Sequence, residues 1–143
     1  MAASAFVDAG AILALLDRDD AWHRACVEAF RSVSFPLLTT AAVMTEVFHL
    51  VIRDFGRIEP AWEFFNSDTV ILAPLTDSDL SNIRALMFQY HDHPMDFPDA
   101  TLVHLANRES ISLILTIDHN DFETYRFAGN QRFTLRPDRN PER

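Results

Sequence analysis

Residues 4–20 read SAFVDAGAILALLDRDD, and this stretch decides the fold class. Ser4 to Val7 is a short apolar run that ends at Asp8, and Ala9 to Leu16 is apolar at helical spacing until Asp17, Arg18, Asp19 and Asp20 break it. A change of hydrophobic period across a single aspartate reads as a strand running directly into a helix. Asp19 or Asp20 is expected to cap a second helix that continues to about Arg31, with Trp22, Cys26 and Phe30 four apart on its inner face.

The same alternation continues along the chain. Phe35 to Leu38 is a second short strand, and Thr39 or Thr40 caps a long apolar helix from Ala41 to about Phe55 that Gly56 ends. Ile58 to Phe65 predicts a short helix and Thr69 to Leu72 a β-branched strand, after which Thr76 to Asp79 opens a helix carrying Leu80, Ile83, Leu86 and Met87. Pro98 falls in the first turn of a further helix ending near Ser110. Ser112 to Thr116 is a buried strand leading into Asp118, Asn120 to Arg126 a short helix, and Gln131 to Leu135 a last edge strand. Strands separated by helices in this way give an α/β fold, a parallel sheet with helices on both faces. The expected organisation is one domain over residues 1–136 and a C-terminal tail over 137–143.

Composition narrows the chemistry. A chain of 143 residues with 48% hydrophobic residues buries about two-thirds of its unfolded surface. All 12 basic residues are arginine, so a P-loop lysine and a Schiff-base amine are both excluded. Three glycines, Gly10, Gly56 and Gly129, cannot make a glycine-rich phosphate loop. The one cysteine, Cys26, forms neither an intrachain disulfide nor a cysteine metal cluster. The first residues carry no basic region followed by a long apolar run, and no stretch of about 18 apolar residues occurs, so the expectation is a cytoplasmic protein with no membrane partner.

Charge is unevenly spread. The net charge is -9, yet residues 126–143 hold five arginines against Asp138 and Glu142. A global excess of acid opposes nucleic-acid binding unless bound cations or a local arginine patch reverse it.

The acids fall where α/β sheets bind ligands, at the carboxyl ends of strands. Asp8 ends the first strand and Asp118 the late one, although either aspartate alone serves equally as a helix cap. Glu46 lies within an almost wholly apolar helix, where a buried carboxylate requires a partner such as a metal, an arginine or another donor; the alternative is a solvent stripe with Ala42, Thr45 or His49, and Arg53. In MDFPDA, residues 95–100, Asp96 reads as the helix cap, whereas Asp99 aligns with Val103 and Ala106 on the core-directed face. Asp121 either caps the final helix or joins the site, and the sequence leaves both open. His91, Asp92 and His93 read as a solvated loop rather than a zinc site. An all-carboxylate constellation selects hard cations, Mg²⁺ or Mn²⁺, and such ions at a sheet edge serve phosphodiester hydrolysis.

Asp8 in VDAGAILALLD, Glu46 after Thr39 and Thr40, Asp99 in MDFPDATLV and Asp118 in LTIDHNDF resemble, in order and spacing, the acidic quartet of PIN-domain ribonucleases, above all the VapC-like toxins of bacterial toxin-antitoxin pairs. The resemblance covers about residues 6–133. It implies a three-layer α/β/α sandwich around a mostly parallel sheet of four to five strands, and a Mg²⁺- or Mn²⁺-dependent endoribonuclease. It also implies a homodimer, a cognate antitoxin protein and a structured substrate such as tRNA or ribosomal RNA. The quartet Asp8, Glu46, Asp99 and Asp118 then binds metal and carries catalysis, with Asp96 and Asp121 as neighbours. One departure is Gly10, where many members carry Ser or Thr, so that a hydroxyl contact is missing. Competing readings are a phosphatase with Asp8 as nucleophile, which the missing lysine and Gly10 oppose, and a non-catalytic PIN-fold module that binds RNA or protein.

Overall fold

A computed structural model describes residues 3–53 and 58–139. Its main sheet has five strands, β1 (Phe6–Val7), β2 (Leu37–Thr39), β3 (Val70–Leu72), β4 (Leu113–Leu115) and β7 (Thr134–Arg136), in the order β3-β2-β1-β4-β7. All neighbours pair in parallel, with Phe6 opposite both Leu38 and Ile114. Parallel pairing requires long crossovers, and these are the helices that cover the sheet: α1 (Ala9–Leu16), α2 (His23–Arg31), α3 (Ala41–Val51), α4 (Ile58–Phe65), α5 (Asp77–Gln89), α6 (Phe97–Glu109) and α7 (His119–Thr124). The α/β/α architecture is the one expected from the alternation of periods.

The chain builds outward from β1 on one side through β2 to β3, then returns to lay β4 on the other side of β1. The order therefore switches direction between β1 and β4, and the carboxyl ends of those two strands flank a crevice. Phe6 and Val7 are wholly buried, as a central strand covered on both faces must be. One contiguous core runs from Phe6 and Ile12 through Val43, Val47, Leu102 and Ile114 to Phe122 and Tyr125. Cys26 is part of it, and burial pushes its thiol up to about 12, so it packs as an inert apolar group.

Four local expectations are corrected. Neither Asp19 nor Asp20 caps α2: the cap position is Trp22, and Asp20 instead accepts the Trp22 N–H at 2.8 Å, tightening the turn before the helix. The long apolar helix ends at Val51 rather than near Phe55, and the expected stop at Gly56 lies outside the described residues. The last helix ends at Thr124, because Arg126 and Phe127 form β5. The single edge strand expected over Gln131 to Leu135 is two strands in different sheets. β6 (Gln131–Arg132) folds back antiparallel on β5 through a turn in which Ala128 and Gly129 have φ of 45° and 90°, and buried Phe133 separates it from β7. The described part of the tail docks on α7, with His119 Nε2 donating to the Pro137 carbonyl at 2.7 Å and Arg139 paired with Glu123.

A second polar structure pins α5 to α6. Thr76 and Asp79 form a capping box at the start of α5, and the buried Asp79 carboxylate also accepts from His104 at 2.7 Å and Arg108 at 2.9 Å. These donors hold its carboxyl well below the usual carboxylate range. No helix among the described residues is long and apolar enough to cross a membrane.

Candidate metal centre

Asp8, Asp99 and Asp118 come to the crevice from three different elements. Asp8 follows β1 and caps α1, where its Oδ1 accepts the Ala11 N–H at 3.0 Å. Asp118 follows β4 and caps α7, with its Oδ1 accepting the Asp121 N–H at 3.2 Å. Asp96 caps α6 through the Asp99 N–H at 3.0 Å, as expected, and so turns Asp99 into the crevice one helical turn below the buried Val103. Thr40 rather than Thr39 caps α3; its hydroxyl meets that of Thr101 at 2.9 Å and so ties α3, which carries Glu46, to α6. Thr39 instead donates to the Val7 carbonyl at 2.9 Å and locks β2 to β1.

The carboxylates converge in two tiers. One oxygen each from Asp99, Asp118 and Asp121 lie within 4.8 Å of one another. Asp121, which the sequence left between cap and site, belongs to this tier. Asp8 lies deeper, 6% exposed, and close enough to raise the proton affinity of Asp99. Glu46 is half-buried on α3, at the margin between the core and the exposed Thr45, His49 and Arg53, and stands outside the triangle of oxygens. Its link to the cluster is electrostatic, through Asp8 and Asp96.

The cluster resists ionisation. Burial, followed by the charges of Asp96, Asp8, Asp118 and Asp121, pushes Asp99 up to about 8. Burial also raises Asp8 to about 7 against the opposing hydrogen bonds from Thr116 and Ala11, with Asp118 and Glu46 adding to the rise. Asp118 is raised to about 6 by burial and by the hydrogen bond it shares with the Asp121 side chain. Glu46 is raised by burial and then by Asp96. Among the described residues no arginine forms an ion pair with any of these acids. Carboxylates gathered at this spacing without a cation repel one another, and a bound cation is the direct way to relieve them.

Thr116 and Tyr125, which sequence reading passed over, and His93, which it read as part of a solvated loop, lie against these acids. Thr116 is wholly buried, and its hydroxyl donates to Asp8 Oδ2 while accepting the Asp118 N–H at 2.9 Å. Position 10 offers no hydroxyl, as expected, and the hydroxyl that reaches Asp8 comes from Thr116 at the adjacent strand end. A Cβ at Gly10 would come within 3.0 Å of Ile117 Cγ1, so the absence of a side chain there lets Ile117 close over α1. Tyr125 donates to Asp99 Oδ2 at 3.4 Å from a wholly buried ring. His93 Nε2 lies 2.6 Å from Asp121 Oδ1, so the histidine loop is only partly solvated: His91 and Asp92 pair in solvent, whereas His93 reaches the acids. A polar residue at an otherwise apolar strand end was the available signal for Thr116, and a histidine pair in a polar loop a weak one for His93; Tyr125 carried none.

The profile of the PIN domain family matches residues 5–128. Ribonuclease VapC26 of Mycobacterium tuberculosis is 27% identical over 141 residues, covering 92% of this chain and 98% of the relative. The crystal structure of Mycobacterium tuberculosis VapC20, described as a Sarcin-Ricin loop cleaving toxin, superposes with a TM-score of 0.74 at 21% identity, over 82% of this chain and 92% of that one.

Proposed function

The chain belongs to the PIN domain family, and from that premise we propose that it is a divalent-metal-dependent endoribonuclease, the toxin of a toxin-antitoxin pair, with Asp8, Glu46, Asp99 and Asp118 as its metal-binding and catalytic acids. The observation that carries the reading is the convergence of Asp99, Asp118 and Asp121 beside the deeper Asp8, with Asp8, Asp99 and Asp118 all raised in proton affinity. Ribonuclease VapC26 is similar over nearly its full length, which supports RNA as the substrate.

The donor set fits Mg²⁺ or Mn²⁺. It is composed of carboxylate oxygens, the ligands that hard cations prefer, and it has surplus negative charge for a cation to balance. A bound ion supplies an activated water and neutralises the developing charge on the phosphodiester oxygens. The protein's part is placement. Thr116 and the Ala11 N–H orient Asp8, Tyr125 and the cap at Asp96 orient Asp99, and the α7 cap orients Asp118. Glu46 adds negative charge from α3 that Asp8 feels. Such a centre also reverses the local field that the net charge of -9 would otherwise present to RNA.

The same reading takes residues 1–136 as one cytoplasmic domain that acts as a homodimer under the control of an antitoxin, and tRNA or ribosomal RNA as the substrate class. The test is cleavage of end-labelled tRNA and ribosomal RNA in Mg²⁺, in Mn²⁺ and in chelator, beside Asp99→Asn prepared identically. Cutting that needs metal and vanishes in the variant supports the nuclease. Metal-independent cutting shared equally by both proteins, or none in either, contradicts it and returns the chain to a binding module.

A further inference from the structure

The loop between α5 and α6 holds a side chain whose placement the four-acid reading leaves unused. Tyr90, the residue after α5, accepts the His93 N–H at 3.1 Å, and Met95 is buried in the core, so both ends of the short loop are anchored. His93 is thereby held with its ring edge-on to Tyr125, centroids 6.0 Å apart, and its Nε2 2.6 Å from Asp121 Oδ1. Tyr125 in turn reaches Asp99 with its hydroxyl and Asp121 with its backbone N–H, which donates to the Asp121 carbonyl at 3.0 Å. The two rings therefore bracket the side of the triangle formed by Asp99 and Asp121.

Of the three converging carboxylates, Asp121 is the one that His93 reaches. Asp118 is held by its capping bond, and Asp99 is half-buried beneath Tyr125. Asp121 is half-buried, with an oxygen within 4.8 Å of one each from Asp99 and Asp118, and when these acids are ionised together they repel one another. A short hydrogen bond from His93 Nε2 opposes that repulsion by fixing Asp121 Oδ1.

We propose that His93 is a positioning residue that holds Asp121 in the cluster as a further ligand for the divalent cation, through the Nε2–H donor and not through its ring packing. The inference rests on the metal-dependent reading of the same acids. It is not a zinc site, because His93 supplies a donor to a carboxylate and no nitrogen to the ion.

The test is Mn²⁺ affinity, measured from the free-ion electron paramagnetic resonance signal, for the unsubstituted protein and for His93→Phe, His93→Gln and Asp99→Asn, with thermal melts of each. Phe keeps a ring against Tyr125 and removes the donor; Gln keeps a donor near the same place and removes the ring. The expected result is that His93→Phe weakens Mn²⁺ binding about tenfold or more, that His93→Gln stays close to the unsubstituted protein, and that both melt as folded proteins. Unchanged affinity in His93→Phe, or equal loss in Phe and Gln, overturns the positioning role while Asp99→Asn still shows that the metal centre exists. If the unsubstituted protein binds no Mn²⁺, or Asp99→Asn binds as it does, the metal reading falls and this role falls with it.

Discussion

The Thr116 hydroxyl donates to Asp8 Oδ2 and in the same stroke accepts the Asp118 N–H, so one buried oxygen ties together the acids that end β1 and β4. The crevice at the switch point is thus spanned by a hydrogen-bonded link as well as by the sheet. Thr116→Val is nearly isosteric, yet it leaves a buried carboxylate one donor short and an N–H without its acceptor. It should lower the free energy of unfolding by about 1–3 kcal/mol and weaken RNA cleavage, whereas Thr116→Ser retains both properties. Urea denaturation read alongside cleavage checks the pair, and a Val variant as stable and active as the Ser variant would contradict the link.

Stability without metal should fall as pH rises. Asp8 and Asp99 titrate in the fold at about 7 and 8, above the ordinary aspartate value, so the folded state holds protons more tightly than the unfolded chain. Their contribution is full below about pH 4 and is lost as pH climbs through 7 and 8. Thermal melts in chelator from pH 5 to pH 9 should therefore show a declining Tm. Saturating Mg²⁺ should flatten the decline. A Tm that rises over this interval in chelator would contradict the raised affinities.

Asp99→Asn removes the most strongly raised of these carboxyls. At pH 8 in chelator it should melt higher than the unsubstituted protein while losing cleavage by about 100-fold or more, beyond the loss typical of a ligand's hydrogen-bond partner. Gain of stability with loss of activity is the signature of an acid retained for function. A variant that melts lower at pH 8 would place Asp99 among structural residues.

Asp79 is the opposite case. Its capping and ion-pair partners hold it below the usual range, so its contribution is present above about pH 4 and is lost only as pH falls further. Asp79→Asn should lower Tm at neutral pH and leave the Mn²⁺ affinity of the folded protein intact. Weakened metal binding in this variant, measured well below its Tm, would contradict the separation of the two clusters.

The strands, helices and acidic strand ends were legible because they rest on local pattern. β1 and α1 follow from an apolar run, an aspartate and a helical period, and α4 spans Ile58–Phe65 as read. The convergence of Asp99 with Asp118 was legible only through family resemblance, since spacing along the chain does not fix proximity across a sheet. What escaped depends on contacts between distant elements. Thr116 meets Asp8 from 108 residues away, and His93 meets Asp121 from 28. The β5–β6 hairpin, which draws Gln131 and Arg132 away from β7, escaped because its turn uses a positive φ at Ala128 that the residue type does not advertise. Asp20 closes a turn where its residue type suits a helix cap equally well, because the same side chain does either.

The most direct test of the metal centre is anomalous diffraction at the manganese edge from crystals grown with Mn²⁺. The predicted result is a peak in the crevice about 2 Å from carboxylate oxygens of Asp99 and Asp118, with Asp8 and Asp121 beside it, and no peak in Asp99→Asn crystals under the same conditions. A crevice without anomalous density in well-ordered crystals at millimolar Mn²⁺, or density bound only at the His91 and Asp92 loop, would contradict it.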